Sequence, residues 1–133
     1  MLWRHGRTQW NAQRRFQGHS DIPLDDVGQA QAALAAPMLA SLKPSKIVSS
    51  DLQRARYTAQ ALADLTELDV GIDPQLRETS AGEWEGLRRE ELQERFGDEL
   101  AAWAAGSDLA PGGGERRSEV ALRMAEAIDR ALV

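Results

Sequence analysis

The 133-residue chain has no cysteine, only two histidines, and few aromatic residues apart from four tryptophans. Without cysteine it can form neither a disulfide framework nor a thiolate zinc site. It has no apolar run of about 18 residues that could span a membrane, and no signal peptide. Acidic residues outnumber basic ones, 21 to 16, which gives a net charge of −5. Nucleic-acid binders usually carry an excess of basic residues. These absences predict a cytoplasmic protein without membrane or nucleic-acid partners.

The remaining composition is that of one globular domain over residues 1–133, since 42% of the residues are hydrophobic and 28% charged. Residues 1–3 are predicted to be the end of a strand, and two further strands are predicted at "KIVSS" (46–50) and "LDVGID" (68–73). Helices are predicted over 27–42, 52–66, 88–96, 98–105 and 116–132. Residues 4–25 lack a clean period and are predicted to be a long functional loop. Alternating strands and helices favour an α/β fold with a mostly parallel sheet between helices.

Local signals add detail to two of these helices. Asp25 or Asp26 is expected to cap the first, and Pro37 to kink or split it. Ser50 or Asp51 is expected to cap the second. The buried face of the first helix is predicted from residues at helical spacing, namely Ala30, Leu34, Met38 (or Ala33) and Leu42.

In parallel sheets, ligands bind beyond the carboxyl ends of the strands. This rule brings together Arg4 and His5 after the first strand, Arg54 after the second, and Glu78 after the third. Arginine forks suit phosphate oxygens, a histidine ring nitrogen is nucleophilic, and a glutamate can serve as a general acid or base. The four residues therefore predict phosphoryl transfer through a covalent intermediate.

Simpler interpretations stay open on the residues alone. A lone histidine such as His5 can be structural, and Arg54 can be a solvated arginine on a helix surface. Asn11 and Gln17 can be turn residues, a common use of such side chains.

Five blocks in order resemble the histidine phosphatase superfamily, the phosphoglycerate-mutase-like proteins, and within it the actinobacterial-type phosphatases. They are "RHGRTQWN", "RFQGHSDIPLDDVGQAQA", "IVSSDLQRARYTAQAL", "LRETSAGEWEGL" and "PGGGE". The resemblance implies a three-layer α/β sandwich and a phosphomonoester hydrolase that needs no metal or other cofactor. Its expected partner is a small phosphorylated metabolite, of the phosphosugar or phosphoglycerate type. A mutase is the alternative, and a homodimer stays open.

The resemblance also implies a role for each matching residue. His5 would accept the phosphoryl group, Arg4 and Arg54 would clamp it, and Glu78 would donate a proton to the leaving group. The expected substrate-binding positions are Thr8, Asn11, Gln17 and Gly18.

Two departures from the family pattern change what we expect of this chain. The family has a second active-site histidine in an "SHG"-like stretch after the last helix, whereas this sequence stops at Val133. The apolar stretch before Arg4 is also short. We therefore expect the N-terminal two-thirds of the fold, incomplete at its C-terminus, with weak activity or none. A truncated, non-catalytic module that binds a phosphorylated ligand is the further alternative.

Overall fold

The computed structural model describes residues 1–133 and contains five α-helices and two β-strands. Three short 3-10 turns lie at Pro74–Leu76, Gly82–Trp84 and Pro111–Gly113. No helix is both long and apolar enough to cross a membrane. In chain order the elements are α1 (Gln9–Ala12), α2 (Asp26–Ser41), β1 (Ile47–Ser49), α3 (Gln53–Ala63), β2 (Val70–Ile72), α4 (Arg89–Ala104) and α5 (Arg117–Ala131).

The two strands form a small parallel sheet with Ile47 opposite Val70 and Ser49 opposite Ile72. Ile47 packs with residues of α2 and α3, and Val70 joins the edge of the same cluster. A groove lined by both strands separates the sheet from Ala127 and Arg130 of α5. The parallel pairing and the helices around it confirm the predicted α/β class. We call this cluster the first core: Leu39, Ile47, Ala59, Leu62 and Ala63.

The predicted strand at residues 1–3 is wrong. Met1 and Leu2 are exposed, and β1 pairs with β2 alone. The segment makes no ladder of backbone hydrogen bonds, and a strand exists only where such a ladder forms. Trp3 is instead held by its side chain, which packs against the first core.

Helix α2 begins as predicted, because the Asp25 carboxylate accepts the Gly28 N–H at 2.8 Å. It runs through Pro37 as one element, so the helix is not split there, and the alternative of a kink at Pro37 stays a prediction. The expected buried face is also wrong, since Leu34 and Met38 are 84% and 60% exposed. Small residues turn inward instead and let the helix lie close against its neighbours: Gly28, Ala32 and Ala36, followed by Leu39.

Helix α3 is capped from a distance. Neither Ser50 nor Asp51 caps it; the Asp21 carboxylate, in the early loop, accepts the Gln53 N–H at 2.7 Å. Asp51 is instead paired with Arg77. This cap depends on the tertiary position of Asp21, which the local sequence around α3 does not encode.

The predicted pair of helices at 88–96 and 98–105 forms the single element α4. Its backbone departs from helical geometry at Phe96 (φ −138°, ψ 33°), beside the glycine at which the break was expected. Helix α5 matches its predicted range within about one residue at each end. A second core lies under α4 and consists of Ala81, Trp84, Leu92 and Leu100, with Phe16 and Trp103 packed against it.

Candidate active site

His5 lies on a loop that spans the two cores, with Trp3 packed on the first and Phe16 on the second. The loop is tied to α3 by a hydrogen bond from the Gly6 N–H to the Thr58 hydroxyl, at 3.0 Å. It also approaches α2 closely, since a Cβ added at Gly6 would lie 2.4 Å from the Gly28 carbonyl oxygen. Glycine at both positions therefore lets the loop and the helix meet, and this contact sets where His5 stands.

The His5 ring is oriented by its own neighbour. Its Nδ1 lies 2.6 Å from the Gly6 carbonyl oxygen, which can only accept, so Nδ1 carries the proton and Nε2 keeps a free lone pair. Burial lowers the pKa of His5 below its ordinary value, and the charges of Arg54 and Arg4 act in the same direction. The Gly6 carbonyl and Glu78 oppose this shift. The balance favours the neutral imidazole, the nucleophilic form.

Arg54, in the first turn of α3, is only 1% exposed. Its Nη1 donates to the Ser20 carbonyl at 2.7 Å, and its Nη2 donates to the Gly18 carbonyl at 2.6 Å. Nη2 also lies 3.2 Å from a carboxylate oxygen of Glu78. The interpretation of Arg54 as a solvated surface arginine is therefore wrong. Its guanidinium is held in a fixed orientation beside the early loop.

Arg4 and Glu78 complete the set around His5. The Arg4 side chain is exposed and takes part in no ion pair, whereas Glu78 is about half exposed and contacts Arg54. The charges of Arg4, Arg54 and Glu78 all act on the pKa of His5, so the four residues lie in one neighbourhood, and their catalytic roles stay a prediction. The site combines a neutral nucleophile, two cations and one carboxylate, the groups that phosphoryl transfer needs.

The four predicted substrate-binding residues shape the early loop. Thr8 is fully buried and caps α1: its hydroxyl accepts the Asn11 N–H at 3.1 Å and donates to the Gln17 side-chain oxygen at 2.6 Å. Gly18 has a positive φ of 53°, and a Cβ there would lie 2.3 Å from a Glu85 oxygen. These contacts give the four residues a structural use, and their contact with substrate stays a prediction.

Sequence reasoning missed several polar residues that support the site. The Glu85 carboxylate accepts from the His19 and Ala81 N–H groups and from the Ser20 hydroxyl, at 2.6 to 3.1 Å. Arg7 pairs with the helix cap Asp25 at 2.7 Å. The signal available was a carboxylate flanked by glycine in the block "GEWEGL". The role of Glu85 depends on its contact with the early loop, more than 60 residues away in the chain, which the local sequence does not show.

Comparison with known proteins gives a family match over the whole chain. The model of the histidine phosphatase superfamily (branch 1) matches residues 1–133. A glucosyl-3-phosphoglycerate phosphatase of Mycolicibacterium vanbaalenii is 45% identical over 123 residues, which cover 92% of this chain and 55% of that protein. A probable phosphoglycerate mutase of Yersinia enterocolitica is 39% identical over 134 residues, covering 98% of this chain and 61% of its own length.

A solved structure gives the same result for the fold. The mycobacterial glucosyl-3-phosphoglycerate phosphatase in complex with VO3 superposes with a TM-score of 0.91 at 39% identity. The match covers 96% of this chain and 64% of that one. The chain thus spans a little over half the length of the first curated relative. The agreement in fold extends over nearly all of the 133 residues.

Proposed function

Since the chain belongs to the histidine phosphatase superfamily, we propose that its site hydrolyses phosphate monoesters through a phosphohistidine formed at His5. The observation that carries the proposal is the buried Arg54, fixed 3.2 Å from Glu78 and next to a histidine whose pKa burial lowers. A buried arginine whose charge acts on a neighbouring nucleophile is suited to stabilise a phosphoryl group.

In the first step, the lone pair of His5 Nε2 attacks phosphorus, and the ester P–O bond breaks as the N–P bond forms. Glu78, as the carboxylic acid, gives its proton to the departing alcohol oxygen. Arg4 and Arg54 bind the other phosphoryl oxygens and stabilise the charge that builds on them in the transition state. The products of this step are a free alcohol, phosphorylated His5 and ionised Glu78.

In the second step, water replaces the alcohol. The Glu78 carboxylate takes a proton from the water as its oxygen attacks phosphorus. The N–P bond breaks, inorganic phosphate leaves, and both His5 and Glu78 return to their starting protonation states. One carboxyl group thus acts first as acid and then as base, and the cycle consumes only water and the ester.

The proposed substrate is a small phosphosugar or phosphoglycerate ester. Support comes from the names of the matched relatives, a glucosyl-3-phosphoglycerate phosphatase and a probable phosphoglycerate mutase. The second name supports transfer between positions of one phosphoglycerate as the competing reaction. Hydrolysis is favoured because the segment from Leu87 to Pro111 is short, whereas a mutase must shield its phosphoenzyme from water.

We further propose that these 133 residues hydrolyse esters slowly or not at all by themselves. The sequence supplies only one histidine besides His5, and His19 is held at 2.8 Å from the Glu78 carbonyl. Loss of one donor to a transition state typically costs about 10²–10³ in rate. If the chain has no hydrolytic activity at all, we propose that it binds a phosphorylated ligand through Arg4 and Arg54.

A panel of esters tests the reaction. We expect the chain to release inorganic phosphate from p-nitrophenyl phosphate, a phosphosugar and 3-phosphoglycerate, slowly and with a common dependence on His5. The matched control is His19→Ala, which removes the other histidine and should keep phosphate release from p-nitrophenyl phosphate, whose leaving group needs no proton. Isomerised phosphoglycerate without phosphate release would favour the mutase, and release that persists in His5→Ala would overturn the proposal.

A homodimer and a cytoplasmic location remain predictions about the whole protein. A homodimer could form through the exposed, uncharged face of α2, whose apolar residues are Val27, Leu34, Met38 and Leu42 at the helix end. Sedimentation at several protein concentrations tests this.

The cytoplasmic location is a prediction from the sequence alone.

A further inference from the structure

Arg123, in the middle of α5, uses its whole guanidinium in hydrogen bonds. Its side chain is 15% exposed. Nη1 donates to the carbonyls of Gln75 and Arg77, each at 2.6 Å, and Nη2 donates to the Glu78 carbonyl at 3.0 Å. Nε and Nη2 also donate to the two oxygens of Glu115, at 2.7 and 2.9 Å. All five contacts therefore meet one short stretch of chain and one carboxylate.

That short stretch, residues 75–78, carries the proposed proton donor. It forms no strand, and the Glu78 side chain is half exposed, with Arg54 as its one ion-pair partner. The backbone beneath Glu78 is thus fixed largely by a residue on a different element. Moving Arg123 would move the Cα from which the Glu78 carboxyl projects.

Glu115 orients Arg123 and binds the same loop from its other end. Its carboxylate accepts the Ser80 N–H at 2.9 Å, while its own N–H donates to the Ser80 carbonyl at 2.9 Å. His19 adds a further contact, with Nε2 at 2.8 Å from the Glu78 carbonyl and 3.3 Å from Glu115. The loop on both sides of Glu78 is therefore clamped to "PGGGE" and α5.

We propose that Arg123, oriented by Glu115, is a positioning residue. It holds the backbone of Glu78 where the carboxyl group can reach the leaving-group oxygen. The inference rests on the proposed function and adds to it a residue far from the reacting atoms. Proton transfer requires the donor within hydrogen-bond reach of the departing oxygen. A misplacement of about 1 Å is enough to cost on the order of 10² in rate.

A purely structural role for Arg123 would make it like Arg130, two turns further along α5. Arg130 pairs with the Asp73 carboxylate at 2.8 Å and with the Gln75 side-chain oxygen at 2.6 Å. It contacts side chains only, and none of the backbone that carries Glu78. Arg130→Met is therefore the matched control for Arg123→Met, since each removes a bidentate arginine from the same helix.

The experiment measures the rate of His5 phosphorylation in a single turnover with two donors. p-Nitrophenolate leaves readily without a proton, whereas the alkoxide of glycerol phosphate needs one. We expect Arg123→Met to slow phosphorylation from glycerol phosphate by about 10–100-fold and from p-nitrophenyl phosphate by less than about threefold. Glu78→Gln should give the same selective loss, and Arg130→Met should leave both rates unchanged.

A loss that is equal for both donors, or no loss at all, would overturn the inference. Thermal melting identifies a variant that does not fold. If Arg123→Met melts below the assay temperature, Arg123→Lys and Glu115→Gln decide by the same donor ratio. Lysine keeps the charge and some contacts with the loop carbonyls, so it should fall between the parent and Met.

Failure of the proposed function gives a different pattern. If neither donor labels His5 in the parent chain, the phosphatase proposal fails, and the positioning role fails with it. If the parent is labelled and Glu78→Gln is donor-selective while Arg123→Met is not, only the positioning role fails. The binding constant for inorganic phosphate should be the same in Arg123→Met and the parent, because Arg4 and Arg54 are untouched.

Discussion

At the residue scale, the site depends on charged groups whose partners lie far away in sequence. Arg54 is buried among carbonyls of the early loop, and Glu85 collects three donors from two loops. Arg54 is buried and Glu85 is partly buried, and loss of water from a charged group is tolerated when hydrogen bonds replace it. The pairing fixes the positions of these two side chains beside the early loop.

Glu115 gives a testable consequence of this pairing. The Arg123 guanidinium holds the pKa of Glu115 down, from an ordinary value of 4.5 to about 2. The folded state thus binds the proton less tightly than the unfolded chain does. The stabilising contribution is present above about pH 5 and is lost as the pH falls toward 2.

We therefore predict that Glu115→Gln lowers the free energy of unfolding by about 2 kcal/mol at neutral pH. The difference from the parent should shrink steadily as the pH falls from about 5 toward 2. Urea unfolding across that range measures it. Glu126→Gln, at an exposed position on α5, is the control and should show no pH-dependent difference. A constant difference for Glu115→Gln at every pH would contradict the assignment.

At the element scale, the contact between the His5 loop and the start of α2 sets the position of His5, the proposed nucleophile. A Cβ at Gly28 would lie 2.0 Å from the Arg7 carbonyl oxygen, closer than any side chain allows. Small residues along α2 continue this close approach toward α3. This also explains why the predicted face of α2 was wrong: the helix is rotated so that backbone, rather than large side chains, meets its neighbours.

We predict that Gly28→Ala lowers the free energy of unfolding by about 1–3 kcal/mol and slows phosphorylation of His5, because the loop must shift. The control is Gly97→Ala in α4, where a Cβ would meet only the end of the Gln93 side chain. Alanine there should leave the rate unchanged and the stability equal or up to about 1 kcal/mol higher. Thermal unfolding and single-turnover labelling measure both. Equal behaviour of the two variants would contradict this account of the loop.

At the scale of the whole molecule, patterns carried by strand and helix order were predictable. The two strands and the long helices followed from alternation, and the rule for strand ends placed Arg54 and Glu78 beyond β1 and β2. For Arg4 and His5 the premise of that rule, a strand at residues 1–3, was wrong. What failed depended on tertiary partners. A strand at residues 1–3 needs a neighbour, and the cap of α3 comes from Asp21, about 30 residues earlier in the chain.

The contacts of Arg123 with residues 75–78 and Glu115 could not be predicted from the sequence for the same reason. Arg123 is one of 16 basic residues, and nothing in its local sequence sets it apart from Arg130. Its role is visible only once α5 lies against residues 75–78. The predicted catalytic residues could be named from sequence because they stand in motifs that resemble the family pattern. The residues that support them carry no such motif and are identified only by their contacts in the structure.

The most direct test of the central claim is the state of His5 after the chain is mixed with p-nitrophenyl phosphate and quenched. We predict one acid-labile, base-stable phosphate per chain at most, located on His5, absent in His5→Ala and retained in His19→Ala. Slow turnover by these 133 residues does not prevent its formation, since labelling needs only the first step. Phosphate that binds without labelling His5, and binds equally well in His5→Ala, would contradict the account and identify a binding module instead.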